Sequence, residues 1–325
     1  MLKDTFGRQH DYLRISLTDN CNFRCAYCMP EEEIDFHPHE QLMQLDEIMH
    51  LAQVFVDLGV KKIRLTGGEP LIRKDFKQIL HRLSKLPVEL TLTTNGFLVH
   101  QVIDDLIAAG VRSINLSLDT LDPNKFSMLT KRDKFQQVWQ NILLLMDRGI
   151  HVKLNCVVMK QVNADEINRF IELTLDYPLH VRFIEFMPFE GNNWGKSQVM
   201  TWEEMKVSID NTFKYKKLKD EPNATARKFV VDSAKGTFAI ISTMSEPFCK
   251  TCNRLRLTAD GKMKNCLFSQ GESDLLQLLR SGTDVKKTIM KNLASKHDAL
   301  GGQFIGLDTI QPEHISNRSM IAIGG

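Results

Sequence analysis

Six of the seven cysteines fall into two groups of three. Cys21, Cys25 and Cys28 lie within the eight residues CNFRCAYC, and Cys249, Cys252 and Cys266 within FCKTCNRLRLTADGKMKNCLF. Thiolates are soft ligands that select zinc, copper(I) or iron–sulfur clusters, so each group marks a soft metal site one ligand short of closure. Spacing leaves two chemistries open for the first group. One is a zinc knuckle completed by a histidine, His37 and His39 being nearest; the other is a four-iron cluster that keeps one iron for an outside ligand. The second group, a C-x2-C pair with a third cysteine beyond a hairpin turn, fits structural zinc or a cluster about equally well. Cys156, alone, reads as a small core residue.

Other residues suited to binding stand close by. Arg254 and Arg256 share one face of the strand RLRL beside the second group, with Lys250, Lys262 and Lys264 near them. Such cations either solubilise a small domain or hold an oxyanion in bidentate forks. In RLTGGEP, Gly67, Gly68 and Glu69 follow a strand, which is where ligands of barrels and open sheets bind, although a glycine pair serves any tight turn.

The elements that must position these groups form a repeat. YLRISL, KKIRLT, VELTLTT, SINLSL, HVKLNCVV and VRFIEF read as strands separated by helical segments, the pattern of a parallel sheet. One such segment, over residues 45–59, carries Ile48, Leu51, Ala52, Phe55 and Leu58 on one face and stops at Gly59. Asn163 with Glu166, and Thr201 with Glu204, have the spacing of capping boxes.

Side chains alternate between the two faces of a sheet, and here one face is apolar strand after strand. Leu13, Ile15 and Leu17 alternate with Arg14 and Ser16; Ile63 and Leu65 with Arg64; Leu90 and Leu92 with Thr91 and Thr93; Ile114 and Leu116 with Asn115 and Ser117; Val152 and Leu154 with Lys153 and Asn155. A sheet covered by helices on both faces would be apolar on both, and a closed eight-stranded barrel fills its interior with branched side chains. We therefore expect an α/β fold: an incomplete, TIM-like barrel of about six βα units with a wet, cation-bearing lumen. A polar face turned to solvent or to a second domain is the alternative. In the sixth strand Arg182 shares parity with Ile184, which leaves its direction open. Beyond about residue 190 the rhythm changes, and TADGKMK supplies a hairpin turn. The expected division is residues 1–215 for the barrel and 216–325 for a smaller α+β region.

Composition restricts the function. The chain has 325 residues and a formal net charge of +2. That is too small a field for nucleic acid or membrane, so any anion site must be local and the partner a small molecule. Without an apolar leader or span the expected location is the cytoplasm, where cysteines serve as ligands before they serve as disulfides.

CNFRCAYC, with Tyr27 before its last cysteine, and RLTGGEP resemble the signatures of radical S-adenosylmethionine enzymes. Together with CNRLRLTADGKMKNCLF and the final AIGG they resemble the GTP 3′,8-cyclase family of molybdenum cofactor biosynthesis over essentially the whole chain. The resemblance implies a radical S-adenosylmethionine partial barrel, two four-iron, four-sulfur clusters on the two cysteine groups, and S-adenosylmethionine bound by Tyr27, Gly68, Ser117 and Met187. It implies that GTP is held by Arg14, Arg64, Thr93, Lys153, Arg254, Leu255 and Arg256, with its guanine at the second cluster. Arg14, Arg182, Gly324 and Gly325 would act in catalysis. The implied lyase reaction begins with removal of the ribose 3′ hydrogen by a 5′-deoxyadenosyl radical. Attack of C3′ on guanine C8 then gives (8S)-3′,8-cyclo-7,8-dihydroguanosine 5′-triphosphate. A flavodoxin- or ferredoxin-type electron donor, hand-over to cyclic pyranopterin monophosphate synthase, and a monomer or homodimer complete the expectation. Asn20 stands where many members carry Arg. Two rivals keep other chemistry: a radical enzyme that modifies peptides, and a zinc-bearing nucleotide-binding protein without catalysis.

Overall fold

The computed structural model describes residues 1–29, 36–311 and 317–324. Six strands, β1 (Tyr12–Ser16), β2 (Lys62–Thr66), β3 (Glu89–Thr94), β4 (Ser113–Ser117), β5 (His151–Val158) and β6 (His180–Glu185), pair in parallel in chain order. Between them run α1 (Leu45–Asp57), α2 (Phe76–Leu83), α3 (Ile103–Ala108), α4 (Pro123–Thr130), α5 (Phe135–Asp147) and α6 (Ile167–Asp176). Alternation decides the layering. Leu13, Ile15, Ile63, Leu65, Leu92, Ile114, Leu116, Val152 and Leu154 are buried in one cluster with Ile48, Leu51 and Phe55 of α1 and the matching faces of the other helices. Gly59, at φ +107°, ends α1 in a conformation that L side chains rarely adopt.

The rest of the chain extends this sheet at both edges. After α7 (Trp202–Asp210) come β7 (Tyr215–Lys217), β8 (Arg227–Val231) and β9 (Thr237–Ile241), of which β9 runs parallel to β6 and β8 and β7 follow antiparallel. The chain then crosses to the opposite edge, where β10 (Arg254–Leu257) pairs in parallel with β1 and is continued by β11 (Lys262–Lys264) and β12 (Ser273–Asp274). One sheet of twelve strands results, in the order β12-β11-β10-β1-β2-β3-β4-β5-β6-β9-β8-β7. The crossing segment, residues 242–253, carries Cys249 and Cys252 over the open side of the partial barrel. Its start is pinned by buried Glu185, whose carboxylate accepts from Trp202 N (3.0 Å), Met244 N (2.7 Å) and Ser245 N (3.0 Å). The Asp260–Gly261 turn joins β10 to β11 as expected, and a Cβ on Gly261 would lie 2.3 Å from Leu276 Cβ. The helices α8 (Leu275–Arg280), α9 (Lys286–Ala294) and α10 (Met320–Ile323) close the sequence of elements. No described helix is long and apolar enough to cross a membrane.

The two expected capping boxes have different outcomes. Thr201 and Glu204 cap α7 reciprocally, Thr201 N donating to Glu204 Oε2 at 2.8 Å and Glu204 N to Thr201 Oγ1 at 3.4 Å. Glu166 N donates to Asn163 O at 3.0 Å, but the two side chains make no capping exchange. Both are 1% exposed, and buried backbone groups from neighbouring turns claim them. Asn163 Nδ2 donates to Asp119 O (2.7 Å) and Val157 O (2.9 Å), its Oδ1 accepts from Met159 N (2.8 Å), and Glu166 accepts from Thr120 Oγ1 and Leu121 N, both at 2.7 Å. A side chain that satisfies three buried backbone groups costs more to remove than a surface cap. Asn163→Ala should lower unfolding stability by about 2–4 kcal/mol, more than Thr201→Ala at about 1 kcal/mol, as measured by chemical denaturation.

Candidate active site

The polar face of the sheet encloses a cavity of about 770 Å³. Register places its cations abreast: Arg256 on β10 lies beside Arg14 on β1, which lies beside Arg64 on β2. Further round the wall Thr93, Asn115, Lys153 and His180 follow one another on β3 to β6, and Asn155 neighbours Arg182. All these side chains line the cavity, as do Tyr12, Arg254, Ser117, Asp119, Met187 and both cysteine groups. Arg182 therefore faces inward, settling the direction left open by its strand. Its Nη2 donates to Asn155 Oδ1 at 2.5 Å, while Arg64 donates to Tyr12 Oη and, at 3.0 Å, to Leu92 O.

Like charges on adjacent strands repel, and burial adds a desolvation penalty. Burial and then Arg256 hold Arg14 well below the usual guanidinium range. Burial and then Arg64 bring Arg182 to about 9, and burial and then Arg254 bring Arg256 to about 10. Lys153 falls to about 8 through burial and Arg182. Burial alone would raise the Tyr12 phenol, but Arg64 and Arg14 carry it down to about 8. Among the described residues no carboxylate pairs with Arg64, Lys153, Arg182, Arg254 or Arg256. A cavity wall so charged is built for a polyanion.

The first cysteine group follows β1, with the turn after β2 packed against it. Gly68 N donates to Thr18 O at 2.7 Å and Glu69 N to Asn20 O at 2.8 Å, while Asn20 Oδ1 accepts from Cys21 N at 2.8 Å. A Cβ on Gly68 would stand 2.2 Å from Asn20 O, so close approach of the two backbones requires glycine there. Glu69 is buried and accepts from Leu71 N (3.1 Å), Thr94 Oγ1 (2.8 Å) and Asn95 N (2.7 Å); burial still raises it to about 7. Tyr27 Oη donates to Asp119 Oδ2 at 2.8 Å, and burial lifts Asp119 to about 6. Burial also pushes the thiols up, Cys21 to about 11 and Cys28 to about 12, so three thiolates together need the positive charge of a metal centre.

Neither histidine proposed for a zinc knuckle lines the cavity that the Cys21 group faces. His37 bonds through Nδ1 to Asp19 Oδ2 at 2.7 Å, and His39 is exposed. Among the described residues no three His, Cys, Asp or Glu side chains converge as one bound ion would require. Two sets of three thiols on one cavity suit a larger, multinuclear sulfur-ligated group.

In the second group, burial raises Cys249, whereas at Cys252 the burial effect is overcome by Arg254 and Lys296, which bring that thiol to about 6. The C-terminal tail enters the same space. Met320 and Ile321 line the cavity, Arg256 Nη1 donates to Gly324 O at 3.4 Å, and a Cβ on Gly324 would come within 3.1 Å of Ser16 Cβ. Gly325 lies outside the described residues. Leu255 is brought elsewhere: alternation along β10 turns its fully buried side chain into the core, away from Arg254 and Arg256. Lys262 and Lys264 also leave the cavity, paired with Asp260 (3.1 Å) and Glu272 (3.4 Å).

Comparison with known proteins agrees with this geometry. Residues 15–174 match the model of the Radical SAM superfamily, and residues 179–301 that of Molybdenum Cofactor Synthesis C. The chain is 45% identical to a mitochondrial GTP 3′,8-cyclase of Arabidopsis thaliana, with all of this chain and 84% of that protein covered. It is 42% identical to the GTP 3′,8-cyclase of Thermodesulfovibrio yellowstonii, covering 91% of this chain and 94% of that one. The chain belongs to the GTP 3′,8-cyclase family. It spans about half, 51%, of the length of Molybdenum cofactor biosynthesis protein 1 of Mus musculus, at 44% identity. In fold it is similar to Streptococcus suis SuiB bound to S-adenosylmethionine, with TM-score 0.62 and 15% identity over 97% of this chain and 78% of that one.

Membership of this family makes Gly68 a sensitive point, since its backbone contact holds the Cys21 loop. Gly68→Ala should displace that loop and lower the iron bound per chain after anaerobic reconstitution, with far-UV circular dichroism unchanged. Full iron content in this variant would show that the contact is dispensable. Tyr12, Lys62, His151 and His180 line the cavity too, though no motif marks them. Their signal is parity, two residues before Arg14, Arg64, Lys153 and Arg182.

Proposed function

We infer that the protein is a radical S-adenosylmethionine GTP 3′,8-cyclase that converts GTP to its 3′,8-cyclised nucleotide in the first step of molybdenum cofactor biosynthesis. The single observation that carries this reading is the row Arg256, Arg14 and Arg64, buried in a cavity shared by two groups of three thiols. When bound at an iron–sulfur cluster, S-adenosylmethionine supplies the radical that removes the ribose 3′ hydrogen, freeing C3′ to bond to guanine C8.

The chain's own part is positioning and exclusion of water. Cys21, Cys25 and Cys28 would hold one four-iron cluster and Cys249, Cys252 and Cys266 a second, which would anchor the guanine. Tyr27, Gly68, Ser117 and Met187 contact S-adenosylmethionine. Arg14, Arg64, Thr93, Lys153, Arg254 and Arg256 clamp the triphosphate, while Arg182 and the tail at Gly324 border the reacting ribose. Residues 1–215 supply the radical machinery and 216–325 the second cluster. A flavodoxin- or ferredoxin-type donor delivers two electrons, one to release the radical and one that, with a proton, completes the cyclised product, which passes to cyclic pyranopterin monophosphate synthase.

Two measurements test this reading. Iron and sulfide analysis of the reconstituted protein should give about eight irons per chain, falling to about four when Cys249, Cys252 and Cys266 are all replaced by alanine. About four irons in both, with zinc lost from the variant, would make the second site structural.

The second measurement is pH dependence. A triphosphate favours protonated Lys153 and neutral Tyr12, and both groups titrate at about 8 in the free protein. GTP affinity should therefore fall roughly tenfold between about pH 7.5 and about pH 9.5. Lys153→Met should bind more weakly at the lower pH and show a flatter profile. A pH-independent affinity in the unmodified protein would remove Lys153 and Tyr12 from the phosphate site.

A further inference from the structure

Lys296 lies just beyond α9, 4% exposed, and reaches back toward the second cysteine group. Its Nζ donates to Cys252 Sγ at 3.9 Å, to Arg254 O at 3.4 Å and to Asn265 O. An ammonium has three N–H bonds, and all three are used. Arg254 lies two residues past Cys252, and Asn265 immediately precedes Cys266, so this one side chain ties together the two segments that carry the thiols. Among the described residues no carboxylate pairs with Lys296, and a buried cation without a counter-ion is expensive. Arg8 offers a contrast. It also braces this region, through Cys249 O (2.9 Å), His297 O (2.8 Å) and Asp298 O (2.6 Å), but its charge is matched by Asp4 at 2.6 Å. The Lys296 charge is left for the sulfur side.

We propose that Lys296 is a positioning residue for the second cluster: its ammonium donates to the Cys252 sulfur, fixes both ligand segments and offsets the negative charge of the bound cluster, raising its reduction potential. Hydrogen bonds and charges around ligating sulfurs set cluster potentials in this way. The inference rests on the two-cluster reading above.

The test uses the full chain, reconstituted anaerobically, with iron analysis and an EPR-monitored redox titration. Added S-adenosylmethionine identifies the signal of the first cluster. Lys296→Met should shift the midpoint of the second cluster downward and leave the first unmoved, and Lys296→Arg should restore a value near that of the unmodified protein. An unchanged second midpoint in Lys296→Met would overturn the proposal. If Lys296→Met loses half of its iron, Lys296→Arg decides. About eight irons at a near-normal potential supports the role of the cation, and loss of iron there too overturns it. About four irons in the unmodified protein would instead defeat the two-cluster reading, and the proposal with it.

Discussion

Three arginines abreast on adjacent parallel strands, Arg256, Arg14 and Arg64, set the terms for the rest of this molecule. Neighbouring like charges on one face of a sheet work against pairing, and burial of each guanidinium adds to the cost. The fold tolerates them because the opposite face of the same strands is continuously apolar. Leu13, Ile15, Ile63 and Leu65 are buried against the helices, and burying such side chains contributes roughly 1.5–3 kcal/mol each. The barrel keeps a cavity of about 770 Å³ where a closed one would be packed. The repulsion in its wall is what the proposed polyanionic substrate would relieve.

The same arrangement explains where the two cysteine groups lie. The first follows β1, where the ends of parallel strands present their loops to a ligand. Of the second, Cys249 and Cys252 lie on the crossing between β9 and β10, which attach to opposite edges of the six-stranded sheet, and Cys266 follows β11. Pairing β10 with β1 therefore does two things at once. It brings Arg256 beside Arg14, and it suspends Cys249 and Cys252 over the cavity that Cys21, Cys25 and Cys28 face from the other side. Both thiol groups thus look into one charged chamber, which is the geometry that the proposed function uses.

Much of this was legible beforehand, because its physical basis is local or periodic. Strand parity identified the inward face of five strands, and it holds at Arg14, Arg64, Thr93, Asn115 and Lys153. It also pointed to Tyr12 and His151, which motif reading passed over. Arg182 was ambiguous because Ile184 and Phe186 share its parity; Ile184 also faces the cavity, where a lumen wall admits an apolar residue. Leu255 shares a motif with Arg254 and Arg256, but alternation along β10 turns it into the core. Asn163 and Glu166 have the spacing of a capping box, but their burial, which spacing does not encode, gave them to other partners.

Sequence alone determined the chemistry available: six soft ligands in two triplets, cations on one face of a repeated strand, and a glycine pair where two backbones must touch. Those follow from side-chain type and from the period of two that every strand imposes. Tertiary structure decided what meets. That β10 joins β1, that Arg8 and Lys296 arrive from opposite ends of the chain to brace the second thiol group, and that Gly324 reaches Ser16 and Arg256 are long-range contacts. They depend on which sheet edge is left to be paired and on which buried polar groups still need partners, and no local pattern in the chain records either.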